Sequence, residues 1–129
     1  MATVSPALRQ RVRARADHRC EYCGIARHVS DFYQLQVEHV VARQHGGLTE
    51  PSNLAAACQH CNLHKGPNVA GVDPETGALT PLFNPRRQRW PDHFERAGIL
   101  IVGRTDVGRT TVRVLAMNDP QQLDLRSVE

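Results

Sequence analysis

Apolar and polar positions alternate along this chain in short runs, none long enough to bury itself alone. Ser5-Pro6 reads as an N-cap followed by proline at the first helical position, and the next eleven residues contain neither glycine nor proline. This predicts a helix over 6–17, with Ala7, Leu8, Val12, Ala14 and Ala16 as a narrow apolar stripe. Its arginines are expected to face outward or toward a polyanion. Residues 35–42, Leu-Gln-Val-Glu-His-Val-Val-Ala, begin with strict alternation and are rich in valine, which predicts a strand ending near Glu38-His39. Gln44-His45-Gly46-Gly47 breaks regular structure, and Pro51 through Ala57 reads as a turn into a short helical segment. Gln59 to Lys65 predicts one or two helical turns stopped by Gly66-Pro67.

The second half predicts an extended, wrapping segment over 67–85. A helix over 89–96 would place Trp90 and Phe94 at i, i+4, a packing spacing. A strand is predicted over 99–102. Residues 105–117 suit either a strand, through Val112, Val114 and Ala116, or a helix with Val107, Thr111 and Leu115 on one face. The helix is preferred, with Asn118-Asp119-Pro120 ending it.

At 129 residues the chain fits one modest domain. Glycine and proline together number 17 and aromatics are few, so loops are plentiful and a metal staple would compensate for a thin core. Charge is unevenly divided. Residues 1–66 hold eight Lys or Arg against five Asp or Glu, whereas residues 67–129 hold eight of each. Arg9, Arg11, Arg13, Arg15 and Arg19 precede the first cysteine pair, which suits a polyanionic partner and equally suits a solvated helix face. No apolar stretch approaches the ~20 residues that span a bilayer, and no basic-then-apolar start resembles a secretory signal. A cytoplasmic, membrane-free protein is expected.

All four cysteines lie in two C-x2-C pairs, Cys20/Cys23 and Cys58/Cys61, with 34 residues between them. In a reducing compartment this count and spacing point to a tetrahedral structural Zn2+ and away from disulfides. Four thiolates leave no open position, so any chemistry must lie elsewhere.

Cys20-x2-Cys23, Glu38-His39-Val40, Gly46-Gly47, Asn53-Leu54, Cys58-x2-Cys61-Asn62 and Lys65-Gly66 together resemble the zinc-knuckle-containing branch of the HNH endonucleases, over residues 20–66. More loosely, Leu82 to Asn118 resembles the C-terminal extension of some small bacterial HNH proteins, through Leu-Phe-Asn-Pro-Arg, Trp90, His93-Phe94 and Gly108-Arg109-Thr110. The resemblance implies a small α+β, treble-clef-like ββα-metal domain over 1–66, with residues 67–129 packed on it. It implies metal-dependent cleavage of phosphodiester bonds, with DNA favoured over RNA as the substrate, leaving 5′ phosphate and 3′ hydroxyl ends. By position, His39 matches the general base, Glu38 the acidic metal ligand beside it, Asn53 the asparagine that braces the hairpin loop, and Asn62 the ligand from the helix. Asparagine stands at Asn62 where histidine gives the motif its last letter. Two oxygen ligands favour Mg2+ or Mn2+ over Zn2+ in catalysis.

Each residue also has a plainer reading. His39 could be a hydrogen-bonded strand-end histidine, Glu38 a surface partner of Arg43, and Asn53 a helix cap, a role compatible with bracing. Lys65, His64, His45 and Arg43 are candidate substrate contacts, with His64 also an alternative metal ligand. His18, His28, His60 and His93 read as structural or exposed. Two rivals to a nuclease follow: a non-catalytic zinc-dependent nucleic-acid binder on the same scaffold, and a protein-interaction module docking through residues 67–129.

Overall fold

The computed structural model describes residues 3–26 and 35–129. Helix α1 spans Pro6–Arg15; the Ser5 hydroxyl accepts from the Leu8 amide at 3.2 Å, and Pro6 opens the first turn without wasting a donor. A tight knuckle follows, in which the Gly24 amide donates to Cys20 O and the Cys20 amide to Ile25 O. Strand β1, Gln36–His39, pairs antiparallel with β2, Leu54–Ala57, from Gln36 opposite Ala57 to His39 opposite Leu54. Helix α2, Gln59–Lys65, comes directly after and ends at Gly66, whose positive φ suits the residue. This β1–β2–α2 unit beside a cysteine cluster is consistent with a ββα-metal-like fold.

Leu54–Ala57 is a strand, contrary to the helical segment its Leu-Ala-Ala-Ala sequence predicts. Tertiary packing overrides local propensity: all four residues are fully buried, and small side chains let α1 lie close across the strand. The outer edge of β2 is also occupied. The Glu21 amide donates to Ala56 O at 2.9 Å, and the Glu21 carboxylate accepts from the Ala56 amide at 2.8 Å.

The arginines of α1 are less available than expected. Arg13 donates to Leu35 O at 2.9 Å, and Arg15 to Pro51 O and Leu54 O at 2.9 and 2.7 Å, so these cations tie the helix to the hairpin.

The region expected to wrap without regular structure contains a hairpin, β3 (Ala70–Val72) and β4 (Leu79–Pro81). Helix α3 is a single turn, Trp90–His93, and Phe94 opens strand β5, Phe94–Ala97, paired with β6, Leu100–Gly103. The predicted helix over 89–96 therefore stops half-way. Trp90 and Phe94 still meet, with rings stacked at 5.0 Å. Helix α4, Asp106–Val114, matches the preferred helical reading and packs on β6 and on the β3–β4 hairpin. Its glycine is required: a Cβ on Gly108 would lie 1.9 Å from His93 O. Pro120 does not end that helix but begins another, α5 (Pro120–Ser127), as proline at a first helical position.

The core is continuous across both halves, joining Val12, Tyr22 and Leu54 to Phe83, Phe94, Leu115 and Met117. Trp90 donates its indole N–H to Tyr22 O at 2.7 Å. Among the described residues no helix is long and apolar enough to cross a membrane.

Candidate metal centre and nuclease site

The two knuckles bring Cys20, Cys23, Cys58 and Cys61 together, each at most 2 % exposed, with sulfurs all within 4.8 Å of one another. Cys23 Sγ and Cys58 Sγ are 3.7 Å apart, close to the edge of about 3.8 Å that tetrahedral Zn–S bonds of about 2.3 Å require. The Cys23 and Cys61 amides point at Cys20 Sγ and Cys58 Sγ, at 3.5 and 3.4 Å, as donors that favour thiolate. Burial opposes ionisation of Cys20, but hydrogen bonds from the other three sulfurs hold it well below the ordinary thiol value; hydrogen bonds to Cys20 and Cys58, with burial, push Cys23 well above it, and hydrogen bonds to the other three sulfurs, with burial, do the same to Cys61. Sulfurs this close cannot all ionise without a cation among them. One further atom fits this: the Gln122 amide lies against Cys23 Sγ at 3.9 Å through Oε1, while its buried Nε2 has no partner. Turning the amide directs an N–H at a zinc-bound thiolate and satisfies the orphan. The four-cysteine cluster matches the structural Zn2+ site in ligand type, spacing and surroundings.

The second grouping lies where β1 meets α2. Glu38, His39 and Asn62, with Arg43, line one cavity of about 380 Å³. His39 is half-buried at the end of β1, its Nε2 2.8 Å from Thr49 Oγ1. Burial, then the nearby Arg43 and Lys65 cations, push its pKa below the ordinary histidine value, so the ring is neutral at neutral pH. Asn53 spans the loop between the strands: its Oδ1 accepts from the Val41 amide at 3.0 Å, and its Nδ2 donates to Val41 O and Leu48 O at 3.0 and 2.9 Å. Gly47 completes that loop, since a Cβ there would fall 1.7 Å from Val41 O. Asn62 donates through Nδ2 to Gln36 Oε1 at 2.5 Å, leaving its carbonyl oxygen as the amide's remaining ligand atom.

Glu38 is not a surface partner of Arg43. It is 5 % exposed; Tyr22 donates its hydroxyl to Oε1, and Lys65 Nζ lies 3.2 Å from Oε2. Burial pushes the carboxyl up, while Lys65 and the Tyr22 hydroxyl pull it back. Each oxygen retains a lone pair, so Glu38 and Asn62 offer the hard donors that suit Mg2+ or Mn2+, with Lys65 as a competing cation. Lys65 itself, expected as a substrate contact, is 1 % exposed and turned inward, donating to Val40 O at 3.0 Å.

Residues 20–68 match the HNH endonuclease family. No curated protein and no solved structure matches the chain. The HNH match begins at the first zinc-knuckle cysteine and runs past α2, spanning both groupings, and leaves residues 1–19 and 69–129 uncovered.

Other candidates fall elsewhere. Arg43 is exposed at the cavity, whereas His45, exposed on the same short 3-10 turn, is not among its lining residues. His64 points away from the cavity and meets His60 and Asp119. His60 is buried with Nε2 2.8 Å from Ala116 O, His93 bonds Thr105 Oγ1 at 2.7 Å, and His18 is exposed; His28 lies outside the described residues. Sequence reasoning missed Tyr22, Gln36 and Thr49, the residues that hold Glu38, Asn62 and His39. Only Tyr22 had a local signal, its place inside the first knuckle. An open depression of about 710 Å³ on the other side of the loop is lined by Arg15, Arg86 and Arg87 with Gly46, Gly47 and Asn53.

Proposed function

We propose that the chain is a metal-dependent endonuclease that hydrolyses phosphodiester bonds in DNA, with His39 as general base and zinc on the four cysteines as a purely structural ion. The observation that carries this reading is the convergence of a neutral His39 with Glu38 and Asn62 on one cavity beside the four-cysteine cluster. With Nε2–H donated to Thr49, the lone pair on Nδ1 takes a proton from the attacking water. Thr49 accepts the Nε2–H in this tautomer and orients the ring, and Asn53 holds the loop that carries Thr49 through the Leu48 carbonyl. Mg2+ or Mn2+, held by Glu38 and Asn62, supplies positive charge for the phosphate oxygens when bound. Arg43 at the rim and the exposed Arg87 at the neighbouring depression offer positive charge to the backbone of a nucleic acid.

The test is nicking of supercoiled plasmid by zinc-loaded wild type and His39→Ala, each with Mg2+, Mn2+ or EDTA. Metal-dependent nicking that drops by about 10²–10⁴-fold in the variant is expected. The rival reading, a zinc-dependent nucleic-acid binder, draws support from the compensation of Glu38 by Lys65. It predicts binding unaffected by His39→Ala and no cleavage by folded wild type.

A further inference from the structure

The opposite side of α2 carries a second group of metal-ligating side chains. Residues two apart on a helix lie about 200° apart, so His60 and His64, four apart, share the face turned away from Asn62. Their rings are 4.2 Å apart between centroids. Asp119, from the N-cap of α5, completes the group, and one ligand atom from each of the three lies within 4.8 Å of the others.

Two details are those of a ligand set. The Ala116 carbonyl, 2.8 Å from His60 Nε2, requires the proton on that nitrogen and leaves the Nδ1 lone pair as the ring's ligand atom; a backbone carbonyl on the other ring N–H is how a metal-binding imidazole is commonly oriented. Asp119 stands where a carboxylate ordinarily turns back onto the first helical amides, yet its side chain makes no capping bond. The Gln121 amide, 3.2 Å from His60 Nδ1, is the present occupant of the lone pair and is displaced on binding.

We propose that His60, His64 and Asp119 bind a second divalent ion of borderline softness, Zn2+ or its neighbours Co2+ and Ni2+, distinct from both the four-cysteine zinc and the Glu38–Asn62 pair. Two imidazole nitrogens and one carboxylate oxygen are the donors such ions accept. His64 is exposed and Asp119 half-buried, so both are able to close from the present spacing to the ligand separations of about 3 Å that bonds of about 2.0–2.1 Å require. The ion bolts α2, the helix that carries Cys61 and Asn62, to the first turn of α5. It does not depend on the nuclease reading.

Metal content after equilibrium dialysis against dilute Zn2+ tests this, with thermal melting as a second readout. Wild type is expected to hold two zinc ions per chain, and to melt higher when the second is present. His64→Ala and Asp119→Ala, both at sites outside the core, are expected to keep one zinc and to lose the added-zinc shift. His39→Ala and Asn62→Ala should keep two. One zinc in wild type, a second zinc retained by both His64→Ala and Asp119→Ala, or its loss from His39→Ala or Asn62→Ala instead, would each overturn the proposal.

Discussion

Lys65 and Asn53 show how single side chains fix this site from the inside. A lysine near a helix end ordinarily stays in water, but Lys65 is drawn in by Glu38 and by the carbonyls that end β1. Lys65→Met leaves Glu38 buried without its cation and is expected to cost about 3–5 kcal/mol in a denaturant melt. The double variant Lys65→Met, Glu38→Gln should recover part of that loss, because the uncompensated charge is gone; additive losses would show that the pair is not coupled. Asn53 combines one acceptor and two donors, which no other side chain of its size reproduces. Asn53→Ala is expected to cost about 1–3 kcal/mol, and also to lower nicking while the zinc on the four cysteines stays bound. Unchanged cleavage by a destabilised Asn53→Ala would reduce Asn53 to a structural brace.

At the scale of elements, legibility followed the range of the forces. The Pro6 helix, the Glu38-His39 strand and the Gln59–Lys65 helix were readable because caps, alternation and a glycine stop act within a few residues. Leu54–Ala57 was not, since its strand state comes from β1, α1 and Glu21, all distant in sequence. Pro120 suits the end of one helix or the start of the next, and the structure takes the second, with Asn118 just before it held by the distant Ile101 backbone. The candidate site divides similarly. His39, Asn53, Asn62 and the cysteines stood in a spaced pattern, whereas Thr49, Gln36 and the inward turn of Lys65 required the packed chain. The β3–β4 hairpin adds an electrostatic element. Hydrogen bonds from Arg109, aided by the Glu75 amide and Thr76 hydroxyl against the effect of burial, hold the Asp73 carboxyl well below the usual aspartate range. A depressed carboxyl contributes stability fully above its unfolded value near 3.8 and loses it as pH falls toward the lower folded value. Wild type is therefore expected to lose stability more steeply than Asp73→Asn as pH is lowered below 3.8. Parallel acid-unfolding curves followed by circular dichroism would contradict this.

Across the whole molecule, the HNH-like segment does not own its core. Phe83 meets Tyr22 edge-on at 6.4 Å, the Arg86 guanidinium pairs with Glu21, and Gln122 sits on Cys23. We expect a chain cut after Gly66 to lack cooperative melting even with zinc supplied; a sharp transition in that fragment would show residues 67–129 to be dispensable for folding. The same arrangement has a consequence for handling the protein. Glu21 closes the free side of β2 with a backbone bond and a carboxylate bond, and its position rests on the first knuckle. A chelator that strips the zinc loosens that knuckle and leaves the Ala56 amide and carbonyl without their Glu21 partners on an almost all-alanine strand, an opening for pairing with another chain. Chelated protein is expected to form β-rich aggregates, visible as rising light scattering, before its helices melt.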